Sequence, residues 1–438
     1  MAAFPNPAGQ NQPLGQPQLN WLFLDLNSYF ASVEQELRPE LRGKPVAVVP
    51  LMADTTCCIA ASYEAKAFGV RTGTQVGEAK RMCPGLRLVE ARHEEYVQYH
   101  HRIIEAVERC IPVSAVMSID EMACRLIGRE RPLLAALELA RQVKASIREH
   151  AGATLRCSVG LATNRYLAKV ASDMEKPDGL VALTSDIQEA ALLQLTPRDL
   201  PSIGARMEKR LQKAGIHTMK QLLSLDREQM HAAWGGAPGE KLWYWLRGED
   251  FNDAELEHQK SVGHSHVLPP ELRTPEGCYA VAHKLLHKAA MRLRTARLWT
   301  THVSLAIRYA VPRATAASQH NSGIPQSAWS QGLAVIECQD NQTLVEALKK
   351  LWAARPTGAN FEKPFYVGVG LGGLVPDHLH TLSLFASLDA ESRRTRLSGV
   401  MDSVNRKYGT DTLCAASMLL AKAAAPTRIA FTSIPDLF

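Results

Sequence analysis

Two acidic segments about ninety residues apart constrain this chain more than any other feature. Asp25 ends the apolar run Trp-Leu-Phe-Leu-Asp, and Asp120 and Glu121 follow the run Val-Met-Ser-Ile. Each run has the length and composition of a buried strand, so the carboxylates are predicted at strand ends. A buried carboxylate without a partner is costly, so three of them predict a compensating cation.

An all-oxygen ligand set is the one that Mg²⁺ prefers, and pairs of Mg²⁺ ions catalyse phosphoryl transfer. If the two strands are neighbours in one sheet, Asp25, Asp120 and Glu121 converge on one such site. For a single aspartate, a helix cap or an arginine partner is the simpler interpretation. The occurrence of all three in this context favours the metal site.

The composition indicates a protein of several domains. At 438 residues the chain is too long for one ordinary core, and its 46% hydrophobic and 21% charged residues are typical of a soluble globular protein. No stretch reaches the apolar length of a membrane span, and the N-terminus lacks the pattern of a signal peptide. We predict a disordered lead over residues 1–19. Nine scattered cysteines, with no paired Cys-x-x-Cys motifs, favour free thiols in a cytoplasmic protein.

Positive charge is concentrated in the C-terminal part of the chain. Residues 260–438 hold 20 Lys and Arg against 12 Asp and Glu, whereas residues 1–259 hold 30 against 32. A basic excess confined to one part indicates a surface that meets a polyanion.

The order of predicted elements in the N-terminal part is that of a split βαβ, ferredoxin-like sheet. In such a sheet the first and third strands are central neighbours, which would bring Asp25 beside Asp120. Ser28 is predicted to cap the first helix. The strands of this sheet are predicted near 21–27, 113–119, 121–127 and 154–160, and its helices near 93–110 and 132–149. A further strand is predicted at 44–50, and two short helices are predicted at 62–68 and 75–83.

A glycine turn follows this sheet. The segment from Leu200 to Arg206, followed by Gly215, suggests a helix–hairpin–helix, whose turn amides and helix N-termini can hold a DNA phosphate. An ordinary helical hairpin is the alternative. After an acidic linker at 251–259 we predict helices near 275–297 and 388–407, strands near 300–310, 332–339 and 365–371, and a loop over 312–330.

Taken together, the motifs resemble those of Y-family, translesion DNA polymerases, most closely the bacterial branch that contains polymerase IV and the catalytic subunit of polymerase V. The similarity covers about residues 20–425. The matching segments are Asp25 to Glu34, Ser62 to Val70, Ser118 to Glu121, Ser158 to Gly160 with Ala168 to Gly179, and Lys260 to Ser265.

The resemblance implies an α+β, multidomain right-hand polymerase. It would have a ferredoxin-like palm at 20–37 and 90–190, small fingers at 38–89, and a helical thumb with the helix–hairpin–helix at 191–250. An α/β little-finger domain would follow at 260–425, with a tail at 426–438. The implied substrates are primer–template DNA and deoxynucleoside triphosphates. The implied role is translesion synthesis in DNA repair and the SOS response.

The resemblance also implies roles for individual residues. Asp25, Asp120 and Glu121 would hold two Mg²⁺ ions, with the Leu26 carbonyl as a further ligand. Phe30 would be the steric gate that blocks a ribose 2′-hydroxyl. The implied nucleotide-binding residues are Tyr29, Phe30, Tyr63, Lys66 and Lys169, and the implied DNA-binding residues are Ser202, Ile203, Gly204, Lys260 and Ser261.

Three positions depart from the family pattern. Asn27 replaces the second aspartate of Asp-x-Asp found in many members, although the polymerase V branch also shows asparagine there. Lys66 stands where polymerase IV types carry arginine, which gives up bidentate phosphate contact. Arg125 replaces an acid on the strand of the second acidic segment.

The tail Thr432 to Phe438 resembles the short bacterial peptide that binds the sliding clamp. Ile434, Asp436, Leu437 and Phe438 would make the contacts, although the usual leading glutamine is absent. The alternative is a tail folded back onto the chain's own core.

Two other functions compete with the polymerase. A catalytically silent relative could act as a clamp-binding adaptor, but such relatives typically lose the acidic ligands. A cyclase or another nucleotidyltransferase on a ferredoxin-like palm fits the carboxylates alone. That alternative does not explain the hairpin motif or the basic C-terminal part.

Overall fold

The computed structural model describes residues 18–250, 261–310, 326–358, 361–381, 388–409, 411–422 and 424. Residues 18–250 belong to one unit, and the described residues from 261 onward belong to a second. Among the residues that the structure describes, no helix combines the length and apolarity needed to cross a lipid bilayer.

The first unit contains a mixture of strands and helices. In chain order these are β1 (Trp21–Leu26), α1 (Tyr29–Leu37), β2 (Val46–Val49), β3 (Ala60–Ala61), α2 (Tyr63–Lys66), α3 (Val76–Met82), β4 (Arg87–Glu90), α4 (His93–Glu108), β5 (Ala115–Val116), β6 (Glu121–Arg125), α5 (Leu133–His150), β7 (Cys157–Ala162), α6 (Arg165–Met174), β8 (Leu180–Leu183), α7 (Gln188–Leu192), α8 (Ala205–Lys213), α9 (Met219–Leu223), α10 (Arg227–Trp234) and α11 (Ala237–Trp245).

The main sheet of this unit has the strand order β5-β6-β1-β7-β8. Strand β1 lies between β6 and β7 and is antiparallel to both. The predicted ferredoxin-like arrangement is therefore confirmed, with the strand of the first acidic segment beside that of the second. Strand β8, which the sequence analysis did not predict, adds a parallel edge next to β7.

Strand β1 is apolar along its length because both of its faces are covered. Leu22 and Leu24 belong to the core formed with α4 and α5, whereas Phe23 belongs to a second core formed with α6 and the later helices. Two covered faces remove the alternation of polar and apolar residues that a half-exposed strand would show. The carboxylate of Asp25 is therefore the exception on this strand.

A smaller sheet of order β3-β2-β4 lies outside the main one. Its strands and the helices α2 and α3 share a separate apolar cluster. The predicted strand at 44–50 and the predicted short helices at 62–68 and 75–83 are confirmed as β2, α2 and α3.

Helices α8 to α11 pack onto the same core as α6. Gly215 lies between α8 and α9 at a φ of 78°, a left-handed conformation that glycine adopts without a steric penalty. The predicted pair of short helices around a glycine turn is therefore present.

Two predictions about the start of the chain are wrong. Leu19, assigned to the disordered lead, is fully buried, and its backbone N–H donates to the Arg131 carbonyl; residues 1–17 lie outside the described residues. Ser28 adopts a left-handed φ of 51° and makes no side-chain cap hydrogen bond. A capping side chain needs the extended conformation that precedes most helices, which Ser28 does not have.

The second unit is a four-stranded antiparallel sheet with helices. Its elements are β9 (Ser261–Val267), α12 (Pro275–Thr295), β10 (Leu298–Ala310), β11 (Gln326–Cys338), α13 (Asn341–Ala353), β12 (Pro364–Pro376) and α14 (Leu388–Tyr408), with the sheet order β11-β10-β12-β9.

The C-terminal predictions are confirmed for the two long helices and three of the strands, with shifted ends. The predicted loop over 312–330 is wrong at its end, because β11 already begins at Gln326; residues 311–325 lie outside the described residues. The segment 326–330 lacks the β-branched residues that favour a strand, and its pairing with β10 overrides that weak local preference. Helix α13 was missed, although Leu344, Leu348 and Leu351 recur on one face at a helical period.

Candidate active site

The acidic residues of the two segments meet at one end of the main sheet. Asp25 on β1 lies directly opposite Glu121 on β6, so their side chains share a face. Asp120 directly precedes β6, and its carbonyl accepts a hydrogen bond from the Leu26 N–H at 2.8 Å. The pairing of β1 with β6 thus brings together the three carboxylates that the sequence analysis singled out.

A lysine from helix α6 lies among these carboxylates. The Lys169 Nζ atom is 2.5 Å from Asp25 Oδ2, 2.8 Å from Glu121 Oε1 and 3.0 Å from Asp173 Oδ1. Its side chain is 18% exposed, so these contacts are largely shielded from water. Lys169, predicted to contact a triphosphate, is placed against the carboxylates themselves.

A second lysine, Lys176, comes from the loop that follows α6. Its Nζ atom is 2.8 Å from Asp25 Oδ1 and 2.8 Å from Asp173 Oδ1. Lys176 and Asp173 both lie in the matching segment Ala168 to Gly179, but neither was predicted as a site residue. A sequence signal for them was available. Lys169 and Asp173 are spaced i, i+4 on one helix, so they can form an ion pair, and Lys176 follows shortly after that helix ends.

The charges in this cluster shift the pKa values of its members in opposite directions. Burial by itself would raise the pKa of Asp25, but the ammonium groups of Lys169 and Lys176 hold it below its ordinary value. Burial raises the pKa of Asp120, and the carboxylates of Asp25 and Glu121 raise it further. A hydrogen bond from Ser118 Oγ, at 2.6 Å, offsets part of that effect. Asp120 is therefore the carboxylate whose charge is least compensated.

The donor set fits a divalent cation. Four carboxylates (Asp25, Asp120, Glu121 and Asp173) face two ammonium groups, which leaves a residual negative charge. Within the described ranges, no three His, Cys, Asp or Glu side chains already stand around one point as a metal site does. Instead, the Lys169 ammonium group lies between the carboxylates of Asp25, Glu121 and Asp173. A hard cation bound there would find only oxygen ligands once the two lysines had moved aside.

Helix α2 supplies two further candidates beside this cluster. Lys66 Nζ lies 4.4 Å from the centre of the Tyr63 ring. Burial lowers the pKa of Lys66, and the positive charge of Lys176 lowers it further. Burial also raises the pKa of Tyr63, on which the charges of both Lys176 and Asp25 act. Tyr63 and Lys66 thus lie within the electrostatic reach of the carboxylate cluster.

Phe30, the predicted steric gate, is held in a group of aromatic rings. It stacks on Tyr96 with ring centres 4.4 Å apart, and the Tyr96 hydroxyl donates to Glu34 Oε1 at 2.8 Å. Tyr29 is buried, and its hydroxyl donates to the Tyr96 carbonyl at 2.5 Å. The side chain of Tyr29, a residue predicted to bind nucleotide, is therefore packed inside the fold. Burial and the nearby Asp120 charge raise the pKa of Tyr29 well above its ordinary value.

The predicted DNA-binding residues do not all lie in the first unit. Ser202 is exposed at a φ of 73°, Ile203 is buried, and Gly204 is the residue before α8. Ser261 is an exposed residue at the start of β9 in the second unit. Lys260 and the predicted clamp-binding residues Ile434, Asp436, Leu437 and Phe438 lie outside the described residues.

Comparison with known proteins identifies the family. Residues 24–173 match the model of the impB/mucB/samB family and residues 259–384 its C-terminal domain, and residues 198–250 match the thumb domain of DNA polymerase-iota. The chain is 32% identical to DNA polymerase IV of Moorella thermoacetica, over 89% of this chain and 93% of that protein. It is 30% identical to DNA polymerase IV of Pelotomaculum thermopropionicum, over 91% and 95%.

Solved structures show the same fold. A Y-family DNA polymerase chimera, Dbh-Dpo4(243-245)-Dbh, matches with a TM-score of 0.64 at 22% identity, over 82% of this chain and 99% of the chimera. An insertion ternary complex of Dbh DNA polymerase matches with a TM-score of 0.56 at 23% identity, over 82% and 99%. Because the two relatives named DNA polymerase IV are 30% and 32% identical over about nine tenths of the chain, the chain belongs to the Y family of DNA polymerases, in the DNA polymerase IV branch, and is a DNA-directed DNA polymerase.

Proposed function

We propose that this polymerase copies damaged DNA by two-metal-ion nucleotidyl transfer, as part of error-prone lesion bypass in DNA repair and the SOS response. The observation that carries the proposal is the meeting of Asp25, Asp120 and Glu121 at one end of β1 and β6. These carboxylates retain net negative charge even with two lysines beside them. A cluster that remains under-compensated is suited to bind further cations.

The residues that would hold two Mg²⁺ ions are Asp25, Asp120 and Glu121, with the Leu26 carbonyl. When bound, Mg²⁺ would activate the primer 3′-hydroxyl and offset charge on the transferring phosphoryl group. The protein's own part is to keep the carboxylates on adjacent strands, where the β1–β6 pairing fixes their separation.

The lysines would act on the triphosphate. Lys169 and Lys176 neutralise carboxylates in the structure. When metal and nucleotide bind, their ammonium groups are free to turn toward phosphate oxygens, because a lysine binds as a point charge on a flexible stem. Together with Tyr63 and Lys66 they would surround the triphosphate with positive charge and a hydroxyl donor.

Phe30 would select the deoxy sugar. Its ring is fixed against Tyr96, so it cannot swing away at low cost when a ribose 2′-hydroxyl approaches. Rejection by a fixed ring costs the correct substrate little.

Primer–template DNA would be held by both units. At the start of α8 the cap residue is Gly204, so no side chain caps the first N–H groups of that helix, and Ser202 and Arg206 are exposed around it. Free N–H groups at a helix N-terminus favour a phosphate. In the second unit Lys260 and Ser261 would add contacts. We assign the palm to 20–37 and 90–190, the fingers to 38–89, the thumb to 191–250 and the little finger to 260–425.

We also propose a partner and a place. The tail residues Ile434, Asp436, Leu437 and Phe438 would bind the bacterial sliding clamp, and the enzyme would act in the cytoplasm, where bacterial DNA lies. The adaptor alternative finds no support, because all three acidic residues are retained and lie at one end of β1 and β6. The cyclase alternative does not account for the matched thumb and C-terminal domains.

Primer extension tests the proposal. The full chain with Mg²⁺ is expected to extend primers past a template lesion as well as on undamaged DNA, and EDTA is expected to stop both reactions. Glu121→Gln should lower extension by roughly a thousandfold while leaving DNA binding nearly unchanged, since the carboxylate acts on charge that develops during transfer. Glu105→Gln, an exposed carboxylate on α4, is the matched control.

Two outcomes would contradict different parts of the proposal. Normal extension by Glu121→Gln would refute the assignment of the metal site. Extension that always stops at the lesion would leave a DNA polymerase without the translesion role.

A further inference from the structure

Asn27 lies at the end of β1 and makes contacts that its strand position does not require. It is 3% exposed. Its Oδ1 atom accepts a hydrogen bond from the Asp178 N–H at 2.7 Å, and its Nδ2 donates to Ser158 Oγ at 3.1 Å. Asn27 thus joins the end of β1 both to β7 and to the loop after α6, which lies some 150 residues later in the chain.

The loop held by Asn27 is the one that carries Lys176. Ser158 Oγ accepts a hydrogen bond from the Gly179 N–H and lies 3.3 Å from the Glu175 carbonyl, to which it can donate. A Cβ atom added at Gly179 would lie 1.8 Å from the Glu175 carbonyl oxygen, so the loop folds tightly on itself. Both ends of the loop are therefore bound to the Asn27–Ser158 pair.

The backbone conformation of Asp178 is unfavourable and has to be stabilised by contacts from outside the loop. It adopts a φ of 59°, which a residue other than glycine occupies only at a cost. The hydrogen bond from its N–H to Asn27 helps to stabilise that conformation, as do the contacts of its carboxylate with Lys144 and Arg148. Without the Asn27 acceptor, the partly buried Asp178 N–H would lose its partner and the loop would relax.

We propose that Asn27 is a positioning residue for nucleotide binding: by holding the 175–179 loop, it places Lys176 beside Asp25 and ready for the triphosphate. The inference rests on the proposed role of Lys176 in the preceding section. Asn27 is two residues after Asp25, so one strand end carries both a carboxylate of the site and the group that fixes the opposing lysine.

The side-chain amide of Asn27 has a structural role at a position where many relatives have aspartate. It supplies an acceptor for Asp178 and a donor for Ser158 without adding a negative charge beside Asp25. Aspartate would keep the acceptor, and Ser158 could then donate to it. Asn27→Asp should therefore preserve the position of the loop, whereas Asn27→Ala should not.

The test compares Asn27→Ala, Asn27→Asp, Lys176→Ala and the double variant Asn27→Ala/Lys176→Ala. Binding of dATP is measured at equilibrium on a complex with a dideoxy-terminated primer opposite template T, beside kcat and KM in extension. We expect Asn27→Ala to weaken dATP binding and raise KM about tenfold with kcat changed less than about threefold. Asn27→Asp should stay near the parent protein. In the Lys176→Ala background, Asn27→Ala should add less than about a twofold change.

The outcomes separate this inference from the function on which it rests. If Lys176→Ala weakens dATP binding but Asn27→Ala does not, Asn27 has no positioning role and the proposed function stands. If the two effects are additive, Asn27 acts by another route and the inference is overturned. If Lys176→Ala itself leaves dATP binding unchanged, the role of Lys176 in the proposed function fails.

A second variant covers the case in which Asn27→Ala does not fold. Ser158→Ala removes the other half of the pair and its contacts with Gly179 and Glu175 without changing β1. It should weaken dATP binding in the same direction, again with little effect in the Lys176→Ala background. Unchanged dATP binding in a folded Ser158→Ala protein would overturn the inference.

Discussion

At the scale of single residues, the like charges of the carboxylate cluster lower the stability of the folded protein and favour the binding of cations. Asp25 is stabilised in its charged form by two lysines. Within the described part of the chain Asp120 has no ammonium partner, and the like charges of Asp25 and Glu121 lie close to it. Charged groups of one sign held close together without a counterion favour the unfolded chain. The same uncompensated negative charge favours the binding of a divalent cation.

Asp120→Asn is therefore expected to abolish activity and to raise stability. Loss of a metal-binding carboxylate should lower primer extension by roughly a thousandfold. Removal of a charge that the fold disfavours should raise the melting temperature at pH 7 in the absence of metal. Extension assays and thermal unfolding in EDTA measure the two effects, and a variant that loses both activity and stability would contradict this account.

The pH dependence of this stabilisation has a definite sign. The pKa of Asp120 is raised in the folded protein, so in the window between its ordinary value of 3.8 and its folded value the native state binds more protons than the unfolded state. Stability contributed by this group therefore falls as pH rises through that window. The advantage of Asp120→Asn should be largest at neutral pH and should shrink as pH falls toward 3.8.

Phe30→Ala is expected to relax the choice of sugar. Removal of the ring opens space for a 2′-hydroxyl without touching a carboxylate, so incorporation of ribonucleotides relative to deoxyribonucleotides should rise at least about tenfold. Competition assays with matched nucleotides measure the ratio. Phe68→Ala, an exposed phenylalanine outside the aromatic group, is the matched control. An unchanged ratio would place the gate at another residue.

At the scale of elements, an aromatic and ionic contact ties the sheet to the end of the helical part. The Trp21 indole N–H donates to Asp250 Oδ1 at 2.9 Å, and Arg125 Nη1 lies 2.6 Å from Asp250 Oδ2. The Arg125 guanidinium also lies over the Trp21 ring, 5.0 Å from its centre. Arg125, which departs from the family pattern, thus binds the last described residue of the first unit to β1 and β6.

Arg125→Ala is expected to lower the free energy of unfolding by about 1 kcal/mol, because the arginine is partly exposed and its ion pair is partly screened. Arg125→Asp, which restores an acid, should cost more, since the new carboxylate would face that of Asp250. Urea unfolding measures both, with the exposed Arg129→Ala as control. Primer extension should be unaffected by Arg125→Ala, and equal stability of all three variants would refute the contact's role.

At the scale of the whole molecule, chemistry and charge are divided between two units. The carboxylate cluster belongs to the first, whereas the basic excess belongs to the C-terminal part of the sequence. The second unit has an apolar core of its own, formed by its sheet and by α12 and α13. Such a unit can be tested by itself.

The fragment 260–425 is expected to bind primer–template DNA without the rest of the chain. Contacts to several phosphates release counterions, so affinity should fall steeply as salt rises, with a slope of several on a double-logarithmic plot. Fluorescence anisotropy at a series of salt concentrations measures it, and the fragment 18–250 provides the comparison. Binding that is absent or insensitive to salt would contradict the assignment.

Deletion of Leu437 and Phe438 is expected to reduce synthesis that is stimulated by the sliding clamp and to spare synthesis without it. A peptide with low affinity for the clamp suffices for this role, because clamp and polymerase are bound to the same DNA and their effective concentration is high. Extension with and without the loaded clamp measures the effect. Equal loss in both assays would support the folded-back tail instead.

The sequence by itself determined four strands of the main sheet (β1, β5, β6 and β7) and the meeting of its three acids, but not the edge strand β8. An apolar run that ends in a carboxylate is a local signal, and the order of strands and helices then makes β1 and β6 neighbours, since few topologies accommodate that order. The helical spacing of apolar residues also predicted most of the long helices. The same spacing is present in α13, which was nevertheless missed.

Only the tertiary structure decided what surrounds those acids. Lys176 reaches Asp25, Asn27 holds Asp178, and Arg125 meets Asp250 across separations of roughly 125 to 150 residues. No local pattern marks such partners, because each depends on where a distant loop is placed by packing. The burial of the Tyr29 side chain and the left-handed Ser28 were also decided there, because neighbouring elements override the preference of a single residue.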